Sequence, residues 1–307
     1  SRTRVRMRSG RGLRRGSVPV KILVSLETRV RPDSTGVYII EAFKQLGHKV
    51  AHVLPENMHT IHGGFDLYVK VDDGQRVTQW NPDLHPSAYY CIDTHIESDW
   101  RIQLARDGRF DSVSVVHSQG LALDWGRDDV YWLPVGCDPV IHYVGAREKR
   151  FDGCAIMNFH NNLAGPRVEA LDGFFRGCPG QIFFGNRIFQ EVSEKYAESR
   201  LVFNRSIAGD VNMRVFEAMC SGSCLVTDRV ADMEKLGLVD GVHFAGYNGP
   251  GDAEELARML LADDETRERI AAAGRAEVLA RHTYAHRMAV LLEKLNLNKE
   301  IKEHVHA

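Results

Sequence analysis

Two doubly wound, Rossmann-like α/β domains, one after the other, are the fold class this 307-residue sequence predicts. Three observations carry that expectation. Short apolar runs alternate with helix-period segments from residue 20 to about residue 285. The runs are continuously apolar, as parallel strands covered on both faces are. The alternation breaks once, in the Pro- and Gly-containing stretch PVGCDPVIHYVGAREKR (134–150), and then restarts.

Taken in order, VKILVSL (20–26) reads as a buried strand and STGVYIIEAFKQLG (34–47) as the helix after it, with Ser34 or Thr35 as cap and Gly47 as stop. Strands are expected at 48–54, 66–71, 88–93, 111–117 and 129–134, and helices at 97–108 and 118–126. Beyond the break come strands at 151–158, 181–185, 200–204 and 223–228, with helices at 165–175, 187–199 and 210–222. Residues 252–297 are almost wholly helical by period, interrupted near Asp263 and at His282–Thr283. The organisation read from this is a basic tail over 1–19, an N-terminal domain over 20–137, a C-terminal domain over 138–285 and a last helical segment over 286–307.

Apolar content of 44% and charged content of 26% suit a soluble globular protein. No apolar run approaches the 18 or so residues of a membrane-spanning helix, and no apolar segment follows the N-terminal arginines as in a secretory signal. The six cysteines are scattered without a metal-ligand spacing, so reduced, buried thiols and a cytoplasmic location are expected. SRTRVRMRSGRGLRRG at the start holds seven arginines and no acid, and the remainder carries about nine net negative charges. A tail without aromatics on an acidic body does not suit a nucleic-acid partner; a disordered tail is expected.

Doubly wound domains bind ligands beyond the carboxyl ends of their strands. The residues there are Asp93 and His95, His117, Asn158 and His160, Gly185, Asn204 to Asn212, and Thr227–Asp228. The richest stretch is NRSIAGDVNMRVFEAMCSGSCLVTD (204–228). The backbone amides of Val211, Asn212 and Met213 open a helix, and its dipole suits a diphosphate. Arg205 and Arg214 offer charge-assisted contacts, and Glu217, two turns in, offers a carboxylate to a ribose diol. A plain structural account also exists. It makes Asp210 the N-cap, with Asp210–Arg214 and Arg214–Glu217 as helix pairs worth roughly 0.2–0.5 kcal/mol each.

The segment LVFNRSIAGDVNMRVFEAMCSGSCLVTDRVADMEKLGLVDGVHFAGY resembles the donor-binding segment of group-1 glycosyltransferases of the GT-B fold, in particular the CgeB-like, spore-maturation branch. ERIAAAGRAEVLARHTYAHRMAVLL resembles the end of the same domain, and YWLPVGCDP its junction with the domain before; together the likeness spans about residues 88–292. It implies two facing domains with a cleft between them, and a last helix that crosses back to the first domain. It implies sugar transfer from a nucleotide-sugar, UDP-sugar foremost, to an acceptor hydroxyl of unknown identity, with no cofactor. In such enzymes the helix at 211–221 points its amides at the diphosphate, the glutamate at Glu217 holds the ribose, and a basic residue near Arg167 balances the leaving group. Many members carry a second acid eight residues before that glutamate. Here that position is Gly209, beside Asp210, a departure from the family pattern that leaves the stereochemical course open.

In the first domain YYCIDTHIESDW ends a strand with Asp93, Thr94 and His95. Related enzymes face such residues toward acceptor and donor sugar, which implies Asp93 and His95 as catalytic residues, either competent as a general base. His117 is a weaker candidate. Gly36, read as a turn glycine after the first strand, is expected near the donor phosphates. A full G-x-G-x-x-G is absent, so a nicotinamide site is not supported. No Asp-x-Asp occurs, and the adjacent pairs Asp72–Asp73, Asp128–Asp129 and Asp263–Asp264 read as turns or helix starts, so no metal site is expected. A sugar-nucleotide epimerase or hydrolase, or a non-catalytic binding protein on the same scaffold, are the alternatives.

Overall fold

A computed structural model describes residues 18–30, 32–72, 74–157 and 165–297. Two parallel sheets organise it. The first holds β1 (Lys21–Ser25), β2 (Lys49–Val53), β3 (Leu67–Val71), β4 (Ser87–Cys91), β5 (Ser112–Val115) and β6 (Tyr131–Trp132), in the order β2-β1-β3-β4-β5-β6. The second holds β7 (Phe151–Ile156), β8 (Ile182–Gly185), β9 (Ser199–Phe203), β10 (Cys224–Asp228) and β11 (Ala245–Tyr247), in the order β11-β10-β9-β7-β8. Every strand pair is parallel. β3 and β4 are buried at every position, the polar Lys70 and Ser87 included, as central strands covered on both faces are.

In each sheet the strand order reverses once, between β1 and β3 and between β7 and β9. These switch points are where loops diverge and leave a crevice beyond the strand ends. The helices α1 (Thr35–Gln45), α2 (Ser98–Asp107), α3 (Pro166–Gly177), α4 (Gln190–Ala197), α5 (Met213–Ser221), α6 (Ala231–Lys235), α7 (Pro250–Ala262) and α8 (Asp264–Arg281) cover the sheets. α9 (Tyr284–Lys294) follows α8 after a two-residue break and packs on α1, where Tyr284 stacks on Tyr38 with centroids 5.5 Å apart. Thr283 caps α9 through a reciprocal bond pair with His286. The chain passes between the domains twice, side by side: Cys137 donates to the His282 carbonyl and Tyr284 to the Cys137 carbonyl.

Some expected elements are shorter. The helix read over 118–126 is one 3-10 turn, Ser118–Ala122, whose Gly120 carbonyl accepts both the Leu123 amide at 3.3 Å and the Trp125 indole at 2.8 Å. α6 and β11, of five and three residues, are too short for a period to show. Gly36 is not a turn residue. It is the second residue of α1 and faces Leu26, whose Cδ1 a Cβ there would approach to 2.7 Å. All six cysteines are buried and free. No described helix is long and apolar enough to cross a membrane. The basic tail over residues 1–17, Asn158, His160 and residues 298–307 lie outside the described residues.

Candidate active site

The two switch points face one another across a cavity of about 270 Å³. Its domain-two wall is built by the segments that follow β7 and β9: Arg167 at the start of α3, and Asp210, Asn212, Met213 and Arg214 leading into α5. Its domain-one wall is built by Ser34 and Thr35 after β1, Asp72 after β3, Asp93 and His95 after β4, and His117 after β5.

α5 starts at Met213, not at Asp210. The Asp210 carboxylate accepts from the Ile207 and Ala208 amides at 3.0 and 2.9 Å, which folds the loop on itself. Asn212 takes the N-cap position in extended conformation with no side-chain cap bond, so the cap reading of Asp210 is corrected. The first-turn amides of a helix have no intrahelical acceptor; here they open onto the cavity beside Arg214. Val215, Phe216, Ala218, Met219 and Cys220 fix α5 in the core, and Gly222, at φ 82°, ends it in the left-handed region. Val211 is itself a core residue, 2% exposed, so only its backbone is near the site.

The domain-two wall is cationic. Arg167 is 8% exposed, and its buried Nε has no hydrogen-bond partner among the described residues. Burial, with Arg214 as the next cause, lowers its pKa to about 10. Arg214 Nε donates to Asn204 Oδ1 at 3.2 Å. Arg167 and Arg214 place two guanidinium groups at a helix N-terminus, with Asp210 and Asp228 acting on Arg167 in the opposite sense. Arg205 is not part of it: it does not line the cavity and lies against the Tyr247 hydroxyl instead.

Glu217 lies one helical turn along from Arg214, in a smaller adjoining pocket that shares Met213 and Arg214 with the main cavity. It is 6% exposed, with Oε1 at 3.6 Å from His142 Nε2. His142 Nδ1 accepts from the Asp138 amide at 2.9 Å, so the proton of the neutral ring sits on Nε2, facing Glu217. Burial pushes this imidazole down to about 3. Sequence reasoning passed over His142; a lone histidine between two domains carries no spacing signal.

The domain-one wall is made of titratable groups. His95 and His117 meet edge to face with centroids 4.9 Å apart. Both ring nitrogens of His95 and Nδ1 of His117 are buried without a partner. Burial lowers His117 to about 4, against the pull of Asp210. Burial raises Asp210, but the Ala208 amide and then His117 and His95 outweigh it, and its carboxyl is held below the usual range. Asp93 is held by a device the sequence did not reveal. Asp72, read as part of a turn, is 2% exposed and accepts from the Ile92 and Asp93 amides at 3.1 and 3.2 Å and from Arg101 Nε at 2.5 Å. Gly209 stands at φ 74°, where a glutamate would be strained, and its carbonyl accepts from Gln119 of the first domain at 3.0 Å.

Such a pair of facing, doubly wound domains with the cavity between their strand ends is the GT-B architecture. A model of the family described as "Glycosyl transferase-like" matches residues 155–293, which contain the whole domain-two wall. No curated protein matches the chain by sequence. Among solved structures, Alr3699/HepE from Anabaena in complex with UDP and glucose is similar with a TM-score of 0.68 at 14% identity, over 90% of this chain and 99% of that one. Sucrose-phosphate synthase from Thermosynechococcus elongatus gives 0.65 at 12%, over 91% and 100%. An alpha-glucosyltransferase in complex with UDP-glucose and DNA containing an abasic site gives 0.68 at 10%, over 91% and 100%.

Proposed function

We propose that this chain is a glycosyltransferase that moves a sugar from a nucleoside-diphosphate sugar to an acceptor hydroxyl. The observation that carries it is Arg167: a buried guanidinium with an unpartnered Nε, beside Arg214 and the first turn of α5. A buried cation whose Nε is unpaired among the described residues is a ready place for an anionic ligand. A diphosphate fits, with two guanidiniums and helix amides rather than a bridging metal to stabilise it as it leaves. Glu217, oriented by His142, takes the ribose, and the pocket it shares with Arg187 and Asn186 receives the rest of the nucleoside. The glycosyltransferase-like match over this domain supports the reading.

The acceptor approaches from the domain-one wall, where Asp93 and His95 stand as the groups to take its proton. Thr35 meets Met213 across the cleft, and Ser118 and Gln119 reach Asp232 and Gly209, so the contacts of the closed state are in place to exclude water. The finer reading is a UDP-sugar enzyme of the CgeB-like branch acting in the cytoplasm. It is supported by the run GDVNMRVFEA and by the bound UDP of the Anabaena structure.

The test is thermal stability against UDP, GDP, ADP and dTDP and their common sugars. A nucleotide at 100 times its dissociation constant adds about 2.7 kcal/mol, a melting shift of a few degrees. One nucleotide should give that shift, and Glu217→Ala should abolish it. No shift with any of them would remove the donor site.

A further inference from the structure

We propose that Asp93, His95 and His117 form a site for one divalent transition-metal ion on the acceptor side of the cleft. The three residues each present one ligand atom, and these atoms lie within 4.8 Å of one another. Atoms bound to one tetrahedral zinc at about 2.0–2.2 Å stand about 3.4 Å apart, so the side chains must draw in by about an ångström or more to close the set. Two imidazoles and one carboxylate select an ion of the zinc, cobalt or iron class over magnesium or calcium.

The unpaired ring nitrogens suit an ion. Both His95 nitrogens and His117 Nδ1 are shielded from solvent and lack any hydrogen-bond partner. A neutral imidazole has one donor and one acceptor nitrogen, and leaving these groups unpaired is costly. One ion between the rings pairs a single nitrogen of each imidazole. Charge agrees as well. Asp93 supplies one carboxylate, and Asp210 from the second domain acts electrostatically on both histidines, so two negative charges face a dication. Arg101 Nη2 lies 3.9 Å from Asp93 Oδ2, and its guanidinium is also engaged by Asp72 and by the Ile96 carbonyl.

The sequence reading expected no metal because it sought Asp-x-Asp, the spacing of a site that bridges a diphosphate. The present ligands come from the ends of two neighbouring strands, β4 and β5, and have no such spacing. The site is also separate from the diphosphate wall, so it does not depend on the donor reading.

Metal-stripped, tag-free full-length protein is titrated with Co²⁺, with visible absorption and calorimetry as readouts. The expected result is one ion per chain at micromolar affinity or tighter, with a d–d band of low-symmetry coordination. His117→Ala and, separately, His95→Gln should each weaken binding more than tenfold while the melting transition stays cooperative. Zn²⁺ should displace Co²⁺ and raise the melting temperature of the parent protein alone. Absence of a stoichiometric site, or stoichiometric binding that survives both substitutions, would overturn the proposal. Nucleotide binding is measured on the same samples; its loss would bear on the donor wall and not on this site.

Discussion

The two walls of the cleft are made by equivalent parts of similar domains, the loops beyond parallel strands at a switch point, yet their chemistry differs. The domain-two wall carries fixed positive charge: Arg167, Arg214 and the first turn of α5. Its charge changes little with pH, because even a lowered arginine stays protonated near neutrality. The domain-one wall carries groups that exchange protons or ligands: Asp93, His95 and His117. A departing diphosphate needs a constant cation, and an acceptor hydroxyl needs a group that can change its protonation state. Under the proposed function the two domains have opposite duties, and this can be probed one wall at a time.

The largest effect is expected on the domain-one wall. Asp93→Asn should lower turnover roughly 100- to 10,000-fold while nucleotide affinity, measured by calorimetry, stays within a factor of two or so. Equal turnover in the variant and the parent would remove Asp93 from the chemistry and weaken the contrast between the walls.

A smaller effect with an unusual signature is expected on the other wall. Arg167→Met should weaken nucleotide binding about 10- to 100-fold, the value of a charge-assisted hydrogen bond. It should also stabilise the empty protein by about 1 kcal/mol, because it removes a buried cation that faces Arg214. Calorimetry and urea unfolding read the two quantities separately. A variant that is destabilised and binds as before would mark Arg167 as structural.

The smallest effect concerns the hinge between the walls. Burial holds His142 down at about 3, while the unfolded chain titrates near 6.5. As the pH falls below 6.5 the unfolded chain takes up the proton first, so this contribution is complete above 6.5 and drains away toward 3. Between pH 7 and 5 it amounts to roughly 2 kcal/mol. His142→Asn keeps an acceptor for the Asp138 amide, and its unfolding free energy should fall less steeply over that range. An unchanged slope would mean that His142 is already charged against Glu217 in the folded state.

Much of the scaffold was legible because its signals are local. Apolar runs such as LYVKV in β3 are buried at every position and announce a covered strand. The breaks at Asp263 and His282–Thr283 fall where α7, α8 and α9 divide. Asp210, Asp93 and His95 were read from their places after strands, Arg214 from the helix start and Arg167 from the family resemblance, and all line the cavity. What failed needed a partner distant in sequence. Arg205 has the right residue type in the right loop, but Tyr247, 42 residues on, draws it aside. Gly36 follows the first strand as a turn glycine would, but packing against Leu26 decides its role. Asp72 and His142 carry no motif and are defined by the amides of Asp93 and Asp138 that they bind.

Sequence alone determined the two-domain α/β alternation, the polar helix start after β9 and the carboxylate and histidine after β4. Those follow from hydrophobic period, capping preference and strand-end position, which act over a few residues. The tertiary structure decided which of those groups meet: that Arg167 and Arg214 stand near enough to act on one another, that His117 comes up beside His95, and that His142 faces Glu217 across the hinge. The reason is physical. Charge repulsion, burial and ligand geometry depend on distances of a few ångströms between residues tens of positions apart, and only the packing of the two sheets sets those distances.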